Sequence, residues 1–551
     1  MLRRSFSGQK SNFRTARLSF RTLRITALTL SLLVPVLGLA RAQDQPDLAA
    51  IYKIKDEGLN RSQVMDILSY LTDVYGPRPG GSRNIRKAGE WVQQKLKDWG
   101  LANIHAEPYE FGRSWELKRF QAHMVEPVYS PLIGFPKAWA PGTAGLVRGE
   151  VIRVEISAET DIERYRGKLK GKFVLLQPAQ DESPHFTPDA KRYSDSDLAN
   201  LVLMPEPELP REGLRGQGSL PGRSLAKKIN ELYISEGVAA LLDAGRRDDG
   251  TVWVVGGGDH AKDAALVPPQ VTLAKEHYNR ICRILDKKIK VTLEIEVQAD
   301  FLSQDLNDFN ILAELPGTDK KDEVVMLGGH LDSWHAGTGA ADDAVGCALA
   351  MEVVRILRDA GLKPRRTIRL ALWGGEEGGL LGSRVFVRRH FASRPTPPAS
   401  LESGSEEYWK WMQDNLVMPP TLKPEYSKLS GYFGYDNGTG KIRGIYLQGN
   451  EEARPIFAAW LAPFADLGAT TVTIRDTGGA DHQSFDEVGL PGFQFIQDEV
   501  DYDTRTHHTN MDVYDRIVRA DVMQSAVIMA SFVYHTAMRD ALLPRKPFPK
   551  R

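Results

Sequence analysis

The run Gly329-His330-Leu331-Asp332-Ser333 closes an apolar stretch, and Gly339-Ala340-Ala341-Asp342-Asp343 follows it closely. Farther along stand Glu376-Glu377, Asp436-Asn437-Gly438 and His507-His508-Thr509. Imidazole nitrogen and carboxylate oxygen are ligands that suit zinc, and two metal ions held side by side need an anion shared between them. A His, bridging Asp, Glu, Asp, His series is the set a two-zinc hydrolytic site needs. With only two cysteines, Cys282 and Cys347, zinc sites built on sulfur are excluded. Each motif alone has an ordinary explanation. A Glu-Glu pair is commonly a solvated face, and Asp342-Asp343 reads equally as a helix cap with its first-turn charge, the role expected of Asp343.

The elements that would position these residues follow from periodicity. Val324 to Leu327 and Thr367 to Trp373 read as buried strands, and Asp343 to Arg358 as a helix ended by Gly361. Strands alternating with helices of that length imply an α/β fold: a mostly parallel central sheet with helices on both faces. In such sheets reactive groups lie beyond the carboxyl ends of the strands, where His330 and Glu376 both fall. Upstream, Ser62 to Tyr75 and Ile85 to Trp99 carry helical apolar spacing, separated by the breaker Gly76-Pro77-Arg78-Pro79-Gly80-Gly81. From about residue 120 to 300 short β-like runs dominate, and 181–222 reads as a long irregular excursion rich in Pro, Gly and charge.

Taken in order, these motifs, with Gly374-Gly375-Glu376-Glu377-Gly378-Gly379 and Asp481-His482-Gln483-Ser484-Phe485, resemble the co-catalytic di-zinc exopeptidases. That family includes bacterial leucyl aminopeptidases and glutamate carboxypeptidase, and its plasma glutamate carboxypeptidase branch is the nearest. The resemblance covers about residues 60–118 and 302–535. It implies two zinc ions, with His330 on one, Asp342 bridging, Glu377 and Asp436 completing one each, and His508 on the ion opposite His330. It implies Glu376 as general base and Asp332 as the carboxylate that orients the His330 imidazole. It further implies a cis peptide after Asp332. The Thr-Asn-Met-Asp that follows favours His508 over His507 as ligand. His335 is expected to be a loop histidine near the site, and His482 a buried supporting residue. Residues 119–300 resemble the protease-associated domain, with no catalytic residue expected there.

The organisation expected is 1–42 signal peptide, 43–118 and 301–551 peptidase, and 119–300 insert. The chain has 71 basic and 71 acidic residues, but its first 42 hold eight of the basic ones and no acid, so the remainder is net acidic by eight. That gives no support for nucleic-acid binding. The basic segment, the apolar stretch Ile25 to Ala40 and Ala40-Arg41-Ala42 read as an export signal, making the protein secreted or periplasmic with no stable membrane span after cleavage. The cysteines, in different domains, are expected to be buried thiols. A small peptide is the expected substrate, attacked in a carboxypeptidase or dipeptidase direction. Aminopeptidase action stays open, as does the choice between monomer and homodimer. Glutaminyl cyclase, which shares the fold with one metal, and a non-catalytic binding protein are disfavoured by the full ligand set.

Overall fold

The run Val324 to Leu327 is a strand at the heart of a sheet, and its alternate residues enter two different cores. Val325 and Leu327 face one, Val324 and Met326 the other. Successive side chains point to opposite faces, so a strand covered on both sides reads as continuously apolar. The computed structural model describes residues 44–181, 184–205, 220–398, 400–401, 405–416 and 419–546, and the expected signal peptide lies outside these described residues.

The sheet has eight strands: β1 (Ala102–Glu110), β2 (Asn307–Leu315), β3 (Lys320–His330), β4 (Arg366–Trp373), β5 (Leu429–Gly434), β6 (Ile442–Tyr446), β7 (Thr471–Thr473) and β8 (Gly492–Gln497). Their spatial order is β1-β2-β4-β3-β5-β8-β6-β7. The central four, β4, β3, β5 and β8, are parallel, whereas β1 and β2 on one side and β6 on the other join antiparallel. One face is covered by α1 (Leu48–Asn60), α2 (Arg83–Asp98), α3 (Val345–Asp359) and α5 (Arg519–Met538), the other by α4 (Leu381–His390). The expected α/β class with both faces covered is therefore present.

Helix α3 is buried nearly all round, including Glu352 and Arg355. Those charges are tolerated because Arg355 pairs with Glu352 at 2.7 Å and with Glu57 of α1 at 2.6 Å. Several helices do not follow from the periodicity read in the sequence, α1 and the segment Asp195–Val202 among them. α1 lies directly after the supposed cleavage point. Asp195–Val202 forms inside the excursion, where Ser194 and Asp197 cap one another's backbone.

Strands between Ser114 and Leu302 form a second eight-stranded sheet, bounded by the long antiparallel pair Ser114–Glu126 and Thr292–Leu302. It has its own apolar core, which holds Cys282, while Cys347 lies in the core of the first sheet. Both thiols are buried and free. Among the described residues no helix is long and apolar enough to cross a membrane.

Candidate metal centre

Three neighbouring parallel strands deliver the acidic and imidazole groups to one place. His330 is the last residue of β3, Glu376 and Glu377 follow the end of β4, and Asp436 follows β5. The turn after β4 needs its glycines. Gly375 has φ +62°, and a Cβ on Gly374 would meet the Phe309 carbonyl at 2.6 Å. Asp342 sits in the turn Ala340–Ala344 that leads into α3, and His507 and His508 come from the loop after β8.

The groups converge tightly. His330 Nε2 is 3.0 Å from Asp342 Oδ1, 3.8 Å from Asp436 Oδ2 and 3.9 Å from Glu376 Oε2. His508 Nε2 is 3.2 Å from Asp342 Oδ2 and 3.1 Å from Glu377 Oε2. Asp342 thus stands between the two histidines. His507 Nε2 lies 3.9 Å from Asp342 Oδ2, and its ring stacks on Tyr502. All seven residues named in advance therefore share one locality.

Asp332 stands against the His330 imidazole and also reaches the Glu-Glu turn. The His330 Nδ1 is 3.0 Å from the Asp332 backbone carbonyl and 3.6 Å from its carboxylate. The carboxylate oxygens accept the backbone N–H groups of Glu376 and Glu377 at 3.1 and 3.2 Å, holding the Glu-Glu turn. The cis peptide is elsewhere: it joins Asp342 to Asp343 and does not follow Asp332. There the two carboxylates part. Asp343 turns back to accept from the backbone N–H groups of His330 at 3.1 Å and Gly346 at 3.0 Å, the structural role assigned to it.

The electrostatics ask for positive charge. Burial raises Glu376, with Asp436, Asp481 and Glu377 adding repulsion; burial raises Glu377, helped by Asp342; burial and Asp343 raise Asp436. Burial opposes a charge on His508, yet Glu377 and Asp342 hold its imidazole up to about 11. His330 is likewise raised against the burial effect by Asp332, Asp342, Glu376 and Asp436. Asp342 Oδ2 and Glu377 Oε1 are buried without a hydrogen bond. Clustered buried carboxylates with unsatisfied oxygens beside neutral-capable imidazoles fit divalent cations, which would relieve both costs. Two overlapping groups have metal-ligand spacing: His330, Asp342 and Asp436, and Asp342, His507 and His508.

Several contributors escaped the sequence. The Arg78 guanidinium, fully buried, donates to the carbonyls of Leu71 and Leu331 at 2.7 Å, Thr338 at 2.8 Å and Gly339 at 2.9 Å, clamping the loop between His330 and Asp342. In sequence its segment reads only as a helix breaker. Asp512 accepts from the Ala341 N–H and fixes the same turn. Asp481 is buried and pushed up to about 7 by burial, within electrostatic reach of Glu376 and Asp436. His335 bonds the Pro136 carbonyl through Nε2 at 2.6 Å, and His482 the Thr477 carbonyl at 2.9 Å. From the second sheet region, the Trp253 ring lies 6.1 Å from that of His508. The Arg247 charge also reaches His507, whose pKa is lowered first by burial.

Fold and cluster together define a hydrolase of metallopeptidase type. Residues 310–533 match the model of Peptidase family M28, which bears out the family resemblance read from the motifs. Carboxypeptidase Q of Bos taurus is 26% identical over 490 residues, covering 89% of this chain and 88% of that protein. Carboxypeptidase Q of Homo sapiens is 24% identical over 499 residues, 90% of each. Among solved structures, a Peptidase M28 precursor from Shewanella amazonensis SB2B superposes with TM-score 0.62 at 22% identity, covering 91% of this chain and 98% of that one. A zinc aminopeptidase from Bacillus subtilis gives TM-score 0.51 at 16% identity, covering 86% and 94%. Those structural likenesses bear on the fold.

Proposed function

We propose that this chain is an exported two-zinc exopeptidase that hydrolyses small peptides or dipeptides in the carboxypeptidase direction. The observation that carries the reading is Asp342 standing between His330 and His508, with Asp436 beside the first and Glu377 beside the second. In this reading His330 and Asp436 hold one ion, Glu377 and His508 the other, and Asp342 both. Bound there, zinc supplies Lewis acidity toward the scissile carbonyl and makes water acidic enough to attack near neutral pH.

The rest is the work of the protein's own groups. Glu376, whose Oε2 lies 3.9 Å from His330 Nε2, is left for the water, and its carboxylate takes the proton of the attacking water and passes it to the leaving amine. Asp332 holds the backbone of Glu376 and Glu377 so that one faces substrate while the other faces metal. Trp334 stands edge-on to His508, ring centroids 5.8 Å apart, at the wall of the centre.

Direction rests on where cations stand. Arg475 and Arg505, near the motifs in sequence, are engaged by Met204 and by Asp189. The Arg247 charge acts on His507, its Nε has no hydrogen-bond partner, and among the described residues no ion pair satisfies it. It suits a substrate carboxylate. Residues 119–300, read as a protease-associated-like insert, would supply it. The second reading is removal of N-terminal residues, favoured by the acids Glu376, Asp436 and Asp481, which together would hold a free amine. Export rests on the segment 1–42.

The purified chain, with and without chelator, should cut an N-acetylated short peptide and spare a C-terminally amidated one, and chelator should abolish cleavage. Cleavage of only the amidated peptide would overturn the direction. Cleavage that survives the chelator would overturn the metal chemistry.

A further inference from the structure

The two histidines of the centre are held by different means. His330 lies in a strand, and its Nδ1 is fixed by a carbonyl at 3.0 Å. His508 has φ +60°, a left-handed conformation costly for a residue with a Cβ, and its Nδ1 is buried without a hydrogen bond. Its ring therefore lacks the usual outer hydrogen bond that orients a metal-binding imidazole. Its placement comes from the backbone and from the rings beside it.

That backbone is stitched to the insert. The Val254 N–H donates to the His508 carbonyl at 3.0 Å, and the Asn510 N–H donates to the Val252 carbonyl at 3.3 Å. The Asn510 side-chain carbonyl accepts from the Val252 N–H at 2.7 Å. Arg505, three residues before His508, reaches the same region. Its Nη2 is 2.6 Å from Asp189 and 2.9 Å from Asp249, and its Nη1 donates to Thr251 Oγ1 at 2.9 Å. The Thr509 hydroxyl ties the turn back onto the Arg505 carbonyl. His185, Asp189 and Asp249 have the spacing of cation ligands, but Arg505 is already the positive charge among them.

We infer that Arg505 is a positioning residue through which the insert sets the cation affinity of the His508 side of the centre, so that this side is completed only when the insert is docked. The inference rests on the two-cation reading above. Without the Arg505 clamp the turn Tyr502–Thr506 loses its ion pairs to the insert, and a strained His508 with a free Nδ1 would keep Nε2 beside Asp342 and Glu377 only through the backbone bonds to Val252 and Val254 and the neighbouring rings. His330 and Asp436, carried by β3 and the end of β5, would be untouched.

The test is a zinc titration of the full chain against a competing fluorescent chelator, for wild type, Arg505→Ala, Arg505→Lys and the double variant Asp189→Asn/Asp249→Asn. Wild type should take up two ions per chain. Arg505→Ala and the double variant should keep one ion at wild-type affinity and bind the second about 10- to 100-fold more weakly, the range typical of lost outer-shell support. Arg505→Lys should recover part of that loss. Second-ion affinity unchanged in the variants, or both ions weakened alike, would overturn the inference. Should Arg505→Ala fail to fold, the double variant decides alone by the same criterion. A wild-type chain that binds fewer than two ions would overturn the two-cation reading itself, and the inference with it.

Discussion

The centre has two halves with different origins. The His330 half is assembled by sheet geometry: three adjacent parallel strands end at one level, and their ends carry His330, the Glu-Glu turn and Asp436. The register of the ladder fixes these groups before any side chain chooses a rotamer. The His508 half hangs on a loop whose conformation depends on residues 250–254 and on Asp189, more than 250 positions earlier in the chain. The first half is as rigid as the sheet. The second is as rigid as the contact between two separately cored regions. A centre built this way can keep one group of side chains in place through the sheet while the other answers to a distant segment.

Glu376 belongs to neither half as a ligand, so removing its charge should separate chemistry from metal binding. Glu376→Gln should lower kcat about a thousandfold or more while leaving two zinc ions per chain. Near-normal turnover would remove it as the proton carrier. Next in size, His330→Ala and His508→Ala should each cost an ion, but unequally. His508→Ala should leave one ion at wild-type affinity. His330→Ala also empties a fully buried position in the sheet and should weaken both, through the shared Asp342. Equal losses from the two variants would erase the difference between the halves.

Much of the first half was legible in the sequence because its signals are local. An apolar run ending in Gly-His, glycines around Glu-Glu, and an aspartate just past another strand all report on one or two turns of chain. The α/β class followed from the same alternation. What escaped depends on distant partners. Arg78 looked like part of a breaker because its four acceptors are carbonyls of Leu71, Leu331, Thr338 and Gly339, and carbonyls leave no mark in a sequence. Arg505 stands three residues before His508, yet its charge is spent on Asp189 and Asp249, partners that local sequence does not reveal. Arg247 carries no signal in the sequence because nothing near it is part of a motif. The helix Asp195–Val202 carried a capping signal at Ser194 and Asp197, drowned by the polar composition around it.

Arg78 offers a direct check on the permanence of the first half. Arg78→Met keeps much of the volume but leaves buried carbonyls without donors, and should cost about 3 kcal/mol of stability, read by chemical denaturation of the chelated protein. The His330 ion should weaken with it, because the loop from His330 to Asp342 loses its clamp. A stable variant whose second ion alone is affected would place Arg78 with the other half. Smaller still, Arg247→Ala should raise KM about tenfold, or about 1.4 kcal/mol, for peptides with a free carboxyl terminus, with kcat and zinc content unchanged. A change in kcat alone would move Arg247 from substrate binding to the reaction.

The smallest effect should come from His507, and it is the finest test of how the second half is built. His507 and His508 share the same stitched loop, but they use it differently. His508 turns through φ +60° to bring Nε2 to 3.1 and 3.2 Å from two carboxylates, whereas His507 stays 3.9 Å from the nearer one and rests on Tyr502 with ring centroids 4.6 Å apart. Burial, with the charges of His508 and Arg247, lowers the His507 pKa, whereas the carboxylates around His508 raise its own. His507→Ala should therefore leave two ions per chain and lower activity only a few-fold, through loss of the stacked surface behind His508. Loss of one whole ion in this variant, with His508→Ala unaffected, would exchange the two roles. It would also mean that the insert tie at Val254 positions a bystander, and the ligand on the second side would then be held by Tyr502 alone.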